Sequence, residues 1–214
     1  MMSVMAYPIS VRVEPAPSSR NRLTVAFRLV LAIPHILIVG AIGFGFAANR
    51  SSNDAASFSG ESGVLGAVAI TLAIVSWFTI LFAGDHFTPI RQFTRFYLRW
   101  RVRSLAYLML LSDVYPPFGD GTYPAAMTCD ERDQPRNRLT AAFRIVAALP
   151  HFVVLACVIG IWWFTTIISW FVILITGQAP QALLTFGAGA LQWLIRVEAY
   201  VLLIVDDYPP FALD

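Results

Sequence analysis

The chain contains no lysine and little charge of either sign. All fifteen basic residues are arginine, and charged residues make up only 13% of the 214 residues. Soluble domains average about 25% charged and about 45–50% apolar residues. This chain is 57% apolar and has a mean hydropathy of +0.67. The shortage of charge disfavours a disordered chain and a typical cytosolic enzyme, and it predicts a protein of the cell membrane.

Cysteine and histidine are also scarce, which limits the available chemistry. Cys129 lies in a polar connector and Cys157 in an apolar run, so their positions predict two separate thiols rather than a disulfide. His35, His86 and His151 form no close-spaced ligand set, and no Ser-His-Asp, HExxH, Walker or GxGxxG pattern is present. We therefore predict no metal, no cofactor and no enzymatic activity. The net charge of +2 predicts no nucleic-acid partner.

The clearest feature of the sequence is an internal duplication. Residues 20–28 read RNRLTVAFR and residues 136–144 read RNRLTAAFR, and each copy then continues to a Pro-His pair. Each copy also closes alike, with DVYPPF at 113–118 and DDYPPF at 206–211. So much identity in register indicates two copies of one unit.

The two copies differ mainly in length. The offset between matching residues falls from 116 to 93, so the first copy carries 23 extra residues near 48–63. That stretch is rich in Ser, Asn and Gly, which is the composition of a loop. We therefore expect a first repeat at 1–120, with an enlarged loop, and a second repeat at 121–214.

These motifs resemble an uncharacterised bacterial integral-membrane family that is known only as a domain of unknown function. Its pattern is a Tyr-Pro start, an Arg-Leu-x-x-x-Phe-Arg helix opening, a Pro-His pair and a terminal Asp-x-Tyr-Pro-Pro-Phe. Both halves carry the pattern, so the resemblance covers nearly the whole chain as two tandem copies. It implies a membrane architecture and carries over no established activity.

The length of the apolar runs predicts an all-α membrane protein with four transmembrane helices in two hairpins. A bilayer core about 30 Å thick needs roughly 20 apolar residues of helix. The uncharged run 145–177 is too long for one span at about 1.5 Å per residue. We therefore expect one hairpin at 139–177, with a tight turn near Gly160. By the duplication, we expect the other hairpin at 24–84.

A third helix is predicted at the end of each repeat, at 88–111 and 180–205. In the first of them, arginines recur along one side and aromatic residues fill the other. This pattern is typical of an amphipathic helix that lies in the membrane interface. Short strands are predicted at 9–14, where apolar and polar residues alternate, and at 125–129. We expect these strands to pair beside the cytoplasmic face.

Charge placement predicts the topology of the spans. Both apolar segments open with the same arginines, and positive charge beside membrane spans tends to stay cytoplasmic. Both repeats would then have the same orientation, with an even number of crossings each and both termini in the cytoplasm. The alternative is a six-span arrangement, in which the third helices also cross and the repeats are inverted.

Two matching sets of polar residues lie in the apolar helices, where ionisable groups are costly and suggest function. Each set has a threonine, an arginine and a histidine on one helix face. The sets are Thr24, Arg28 and His35, and Thr140, Arg144 and His151. They predict paired sites for a phosphate or carboxylate of an anionic lipid. Two alternatives stay open: headgroup-seeking arginines with histidines bonded to carbonyls freed by the neighbouring prolines, or a proton or ion path.

A second candidate site is the basic stripe of the helix at 88–111. Its members step by four and are Arg91, Arg95, Arg99 and Arg103. The stripe is expected to bind anionic headgroups or an acidic partner protein, or else only to anchor the topology. An aspartate opens the terminal motif of each copy, and each is expected to pair with a nearby arginine. The candidates are Arg103 and Arg196.

These features together predict an accessory or scaffold subunit of the membrane rather than an enzyme. We expect it to bind anionic lipids or a membrane protein complex. The alternative is a small transporter or channel, because parallel repeats with polar residues near the midplane also occur in transporters. A lipid-modifying enzyme is a third option, but no nucleophile or metal set supports it.

Overall fold

A computed structural model describes residues 7–14, 19–41, 63–84, 87–130 and 138–213, and these residues are mostly helical. The enlarged loop predicted near 48–63 lies outside the described residues, apart from its last position, and so does His86. In chain order the elements are β1 (Ile9–Val13), α1 (Arg22–Ala26), α2 (Arg28–Val39), α3 (Gly63–Ala83), α4 (Thr88–Leu108), β2 (Ala125–Cys129), α5 (Arg138–Thr176) and α6 (Gln181–Val201).

The apolar segment of the second repeat is one continuous helix, α5, of 39 residues. The predicted turn near Gly160, and with it the predicted hairpin at 139–177, is wrong. A glycine inside a helix costs only about 1 kcal/mol relative to alanine. On either side of it, Ile159 and Trp162 continue the buried stripe of the helix without a break. Packing along this stripe outweighs the local cost of the glycine.

The apolar segment of the first repeat follows the same path in three pieces. Phe27 separates α1 from α2, and α2 ends at Gly40. Helix α3 then begins directly against that end, because a Cβ added to Gly63 would overlap the backbone nitrogen of Gly40. Both glycines have positive φ angles, of 86° and 62°, which residues with a side chain rarely adopt. The extra residues of the first copy are therefore inserted at this junction.

Two tryptophans fix how α1–α3 lie beside α5. Trp170 Nε1 donates a hydrogen bond to the carbonyl oxygen of Val25, and Trp77 Nε1 donates one to that of Ala141, at 2.9 Å each. Ala141 and Trp170 are separated by about 44 Å along α5 at 1.5 Å per residue. Helices α1–α3 therefore run end to end, antiparallel to α5. The predicted hairpin at 24–84 is wrong for this reason.

An approximate twofold axis relates the two copies. Strands β1 and β2 pair antiparallel, with Val11 opposite Met127, and these two residues occupy equivalent positions in the repeat. The two tryptophan contacts are equivalent in the same way. The axis therefore passes through the centre of the sheet and through the middle of the long antiparallel helix pair. The pairing of the two predicted strands is confirmed.

Helices α4 and α6 form a middle layer between the sheet and the long helices. They contact each other, and each contacts the long helix of its own repeat. Each strand, however, packs on the other copy, β1 on α6 and β2 on α4. Two hydrogen bonds between the copies stabilise this packing. The hydroxyl of Tyr7 donates to the carbonyl oxygen of Asp207 at 3.2 Å, and that of Tyr123 donates to the carbonyl oxygen of Val114 at 2.7 Å.

The middle layer is the core of the protein, which corrects the interfacial helices predicted at 88–111 and 180–205. From Tyr97 to Leu108 every residue of α4 is buried except Arg99, and in α6 burial is as complete from Trp193 onward. Aromatic residues expected to face a membrane pack inside instead, because both faces of the layer are covered by protein.

The long helices bury one stripe and expose a broad apolar surface on the opposite side. Among the described residues, 26 of the 33 large apolar side chains that are exposed lie here, thirteen on α1–α3 and thirteen on α5. We call this surface the long-helix face. Within the described ranges, two helices, α3 and α5, are long and apolar enough to cross a membrane, so four transmembrane helices are not confirmed.

Candidate functional site

The arginine that opens α2 is buried in a cluster of protein partners. Arg28 is 2% exposed, and its Nη1 donates to the carbonyl oxygens of Tyr107 and Ser112 at 3.1 and 3.0 Å. Its Nη2 donates to Asp113 Oδ1 at 2.6 Å. Asp113 also pairs with Arg20 at 2.5 Å. We call this cluster the first clasp, because it fastens the long helix to the end of α4.

The end of α4 suits a cation for two physical reasons. The last carbonyls of a helix have no partners within it, and they form the negative end of the helix dipole. The chain then turns sharply at Leu110, which has a φ of 65°. This turn directs the carbonyl of Ser112 and the carboxylate of Asp113 back toward Arg28. The guanidinium thus binds the negative end of α4, where the carbonyl oxygen of Tyr107 also accepts from the backbone nitrogen of Leu110 and Asp113 also pairs with Arg20.

The second copy repeats this arrangement as the second clasp. Arg144 Nη1 donates to the carbonyl oxygens of Tyr200 and Val205 at 2.6 and 2.9 Å, and Nη2 pairs with Asp206. The turn residue, Leu203, again has a φ of 65°. The guanidinium carbon of Arg28 lies 4.6 Å from the ring centre of Tyr107, and that of Arg144 lies 4.6 Å from the ring centre of Tyr200. These are cation–π distances.

Each predicted histidine lies in a cage of aromatic rings. His35 is 1% exposed and stacks on Phe118 with ring centres 4.5 Å apart. Its Nδ1 lies 3.1 Å from Trp100 Nε1. Because an indole nitrogen can only donate, Nδ1 must accept, so the imidazole is held with that nitrogen unprotonated. In the second copy His151 stacks on Phe211 at 3.9 Å and accepts from the equivalent tryptophan.

The tyrosines of the terminal motifs complete the cages. Tyr115 donates its hydroxyl to the carbonyl oxygen of Leu31 at 3.3 Å, and Tyr208 donates to that of Ala147 at 3.1 Å. The carbonyls that a proline leaves without a helical partner are those of Val30 and Val146. The tyrosines instead bond the carbonyls of the next residues, Leu31 and Ala147. The Asp-x-Tyr-Pro-Pro-Phe motif therefore supplies both the carboxylate of the clasp and the rings of the cage.

The geometry brings together four of the six predicted site residues and gives them partners within the chain. Arg28 and His35, like Arg144 and His151, both contact the terminal motif of their own copy. Thr24 instead donates its hydroxyl to the carbonyl oxygen of Asn21 in the cap of α1, and Thr140 is exposed. An apolar cleft of about 240 Å³ adjoins Arg28, lined mainly by Trp163, Trp170 and neighbouring apolar residues. Binding of an anionic lipid at these arginines stays a prediction.

The sequence of these repeats matches the model of a described family, domain of unknown function DUF4389, at residues 61–119 and 138–212. The chain belongs to the DUF4389 family. The two matched segments each end one residue after a terminal motif, so they correspond to the two copies found in the sequence. No curated protein and no solved structure matches this chain.

The basic stripe of the first DUF4389 copy does not form a free cationic surface along its whole length. Arg99 pairs with Asp120 at 3.0 Å, and Arg103 donates to the carbonyl oxygen of Gly119 at 2.7 Å. Arg91 and Arg95 are half-buried. The expected partners of the motif aspartates were Arg103 and Arg196, but Asp113 pairs with Arg28 and Asp206 with Arg144. Arg103 lies beside Asp120, and Arg196 donates to the carbonyl oxygen of Ile9 in β1.

Sequence reasoning missed a buried ion pair between the two DUF4389 copies. Arg101 Nε lies 2.9 and 2.8 Å from the two carboxylate oxygens of Glu198, and both side chains are almost fully buried. Arg101 Nη1 also donates to the carbonyl oxygen of Val39, at the end of α2, at 2.8 Å. Burial raises the pKa of Glu198 against the opposing effect of Arg101. Burial also raises the pKa of the neighbouring Tyr97 to about 12.

Comparison of the two copies could have indicated this ion pair. The residues equivalent to Arg101 and Glu198 in the opposite copies are Leu194 and Leu105. A charge in one copy where the other has leucine marks a place where the twofold symmetry is broken. Here it is broken because α2 ends at the insertion and exposes carbonyls that the continuous α5 keeps bonded. Across the described part of the chain, no cluster of His, Cys, Asp or Glu could hold a metal ion.

Proposed function

We propose that this DUF4389 protein is a membrane-embedded scaffold or accessory subunit of the cell membrane, anchored by its long-helix face. The observation that carries the proposal is the concentration of 26 exposed large apolar side chains on that one face. Water-soluble monomers rarely expose apolar patches larger than a few hundred Å². Burying this face in lipid removes the apolar surface from water and does not bury an exposed charged side chain.

Anionic lipids are the partners that the charges around this face favour. The exposed Arg22 lies against Gly177 at one end of the helix pair, and the exposed Arg138 lies against Gly84 at the other. Each arginine near an anionic surface contributes about 1 kcal/mol to membrane binding. This assigns headgroup contact to the exposed arginines, whereas those of the clasps already have partners within the chain.

The buried polar groups favour a scaffold over a transporter. A transport path needs polar groups that can exchange partners with a substrate or ion. The guanidinium of Arg28 is bonded to carbonyls and a carboxylate, and the ring of His35 is enclosed by aromatic side chains. These contacts hold the long helices to the core, which is the behaviour of a rigid platform for a partner complex.

The test is membrane fractionation followed by purification in mild detergent with mass spectrometry of bound lipids and proteins. We expect the protein to remain with membranes after salt and carbonate washes. We also expect it to co-purify with anionic lipid and a membrane partner at fixed stoichiometry. Flux of a solute through reconstituted vesicles would contradict the scaffold and favour a transporter. Release by the washes would contradict the membrane anchor itself.

A matched pair of variants makes the anchor test specific. Phe164 lies on the long-helix face, and Thr128 lies on the exposed side of the sheet. Phe164→Arg should reduce the membrane-bound fraction, because it places a charge in the apolar face. Thr128→Arg adds the same charge on the opposite side and should leave that fraction unchanged.

A further inference from the structure

We infer that the long-helix face lies flat in one leaflet of the bilayer, so that α1–α3 and α5 run parallel to the membrane plane and do not cross it. The inference rests on the membrane anchor proposed above and adds its geometry. The occupant of the face is therefore a single lipid leaflet, and the rest of the protein remains on one side of the membrane. Three independent observations lead to this geometry.

The first observation is the length of the apolar surface. Between Arg138 and Gly177 the only charged residue of α5 is Arg144, and it is buried in the second clasp. The exposed apolar surface thus extends over the whole helix, about 58 Å for 39 residues at 1.5 Å each. A hydrocarbon core is only about 30 Å thick. A crossing helix of this length would need a tilt of about 60°, beyond the 0–40° range of membrane helices.

The second observation is the position of the sheet. The twofold axis passes through the sheet and the middle of the helix pair, so crossing helices would place β1 and β2 at the centre of the bilayer. This sheet has two strands and therefore two open edges, and lipid cannot satisfy the unpaired backbone groups of an edge. Its exposed side also carries Arg12 and Glu14. An in-plane orientation places the same sheet in water.

The third observation is the charge at the two ends of the face. Arg22 and Arg138 are equivalent in the repeat but lie at opposite ends of the helix pair. Crossing helices would put these arginines on opposite sides of the membrane, although basic residues beside apolar segments concentrate on one side. When the twofold axis is perpendicular to the membrane, both arginines lie at the same depth. The two copies then have the same orientation, as their identical charge patterns predict.

The experiment is cysteine labelling in sealed vesicles with a membrane-impermeant maleimide. The background is the chain with both cysteines replaced, Cys129→Ser and Cys157→Ser. Thr88→Cys and Gln181→Cys are matched reporters, because these exposed residues begin α4 and α6 at opposite ends of the face. Ala126→Cys reports on the exposed side of the sheet. Restoring Cys157 alone reports on the exposed midpoint of α5.

The in-plane geometry predicts that both end reporters and Ala126→Cys label from the same side of the vesicle. Cys157 should label only after the membrane is dissolved in a denaturing detergent. Labelling of the two end reporters from opposite sides would overturn the inference in favour of crossing helices. Labelling of an additional Ala55→Cys reporter from the side opposite to both ends would overturn it in favour of the hairpin topology.

The same preparation separates this inference from the membrane anchor. If the protein is retained by carbonate-washed membranes but the end reporters label from opposite sides, only the orientation is wrong. If the protein is recovered in the soluble fraction as a dimer, with Cys157 shielded, a second copy covers the face. Both the inference and the membrane anchor are then wrong.

Discussion

The ion pair between Arg101 and Glu198 allows the sharpest test of the packing described above. Replacing Glu198 by leucine, the residue at the equivalent position of the first copy, leaves the guanidinium of Arg101 buried without its carboxylate. Arg101 is 1% exposed, so water cannot solvate the remaining charge without local unfolding. We therefore expect Glu198→Leu to be among the most destabilising single substitutions in the chain.

The loss in free energy of unfolding depends on which buried group each variant leaves without a partner. Breaking a buried pair by removing one partner costs about 3–5 kcal/mol. At roughly 2–4 °C per kcal/mol for a chain of this size, Glu198→Leu should lower the unfolding midpoint by about 6–20 °C. Arg101→Leu should cost less. Glu198 can become neutral by binding a proton, which its raised pKa favours, but the carbonyl of Val39 is then left unpaired at about 1–3 kcal/mol.

The double variant is the decisive comparison. Replacing a buried ion pair by apolar residues of similar volume is often neutral or stabilising by about 1–4 kcal/mol. We expect Arg101→Leu combined with Glu198→Leu to regain most of the stability lost in Glu198→Leu, falling short of wild type by about the cost of the unpaired carbonyl of Val39.

Thermal unfolding monitored by tryptophan fluorescence, in one detergent at one protein concentration, measures all three variants. Asp120→Asn is the control, because it breaks the half-exposed pair with Arg99 and should cost no more than about 1 kcal/mol. A double variant as unstable as Glu198→Leu would refute the reasoning. It would mean that the ion pair cannot be exchanged for apolar packing at this site.

Other contacts lead to three further predictions. Asp113→Asn and Asp206→Asn should each lower the unfolding midpoint by the equivalent of about 1–3 kcal/mol, since each leaves a buried guanidinium without its carboxylate. Unfolding midpoints that stay at the wild-type value in both variants would contradict this account of the clasps. Replacing both Arg22 and Arg138 by glutamine should weaken retention of anionic lipid by about 1 kcal/mol per arginine, measured by lipid mass spectrometry after purification at increasing salt; lipid retention equal to that of wild type would count against headgroup contact. Because the folded state raises the pKa of Tyr97 to about 12, its contribution to stability should be complete below about pH 10 and lost as the pH rises from 10 toward 12. Tyrosinate absorbance near 295 nm would follow this loss, and Tyr97→Phe should reduce it.

Much of the fold was predictable because duplication is visible without any structural knowledge. Matching the two copies located the strands that pair as β1 and β2. It also located the insertion between the two glycines where α2 meets α3. What duplication could not predict was the contact between copies. Each strand packs on the other copy, and identical sequences predict packing on either copy equally well.

The candidate sites were predicted in part for a related reason. Arg28 and His35 were identifiable because ionisable residues are rare in apolar helices. Their partners were not, because Asp113 and Phe118 are about 80 residues away in the sequence. Both copies contain the arginine at the helix opening and the aspartate of the terminal motif. Because the two residues recur together, the sequence could have indicated that they form the clasp. The chain supplies a carboxylate of its own to each of these arginines, and binding of an external anion there stays a prediction.

Both hairpins were predicted on the assumption that the apolar runs cross the bilayer. Dividing a long apolar run into spans of roughly 20 residues is valid only for a helix that crosses the bilayer. A helix lying in the plane of one leaflet has no such upper length, and its exposed side is as apolar as its buried side. Along α5 the buried residues recur every three or four positions from Ala141 to Trp162, and the same side is buried again at Ser169 and Ile173. Apolar residues such as Ile145 and Phe171 fill the exposed positions between them, so the sequence alone could not distinguish the two sides. The information that separates one long helix from a hairpin therefore lies in the contacts of Trp77 and Trp170 with the opposite copy.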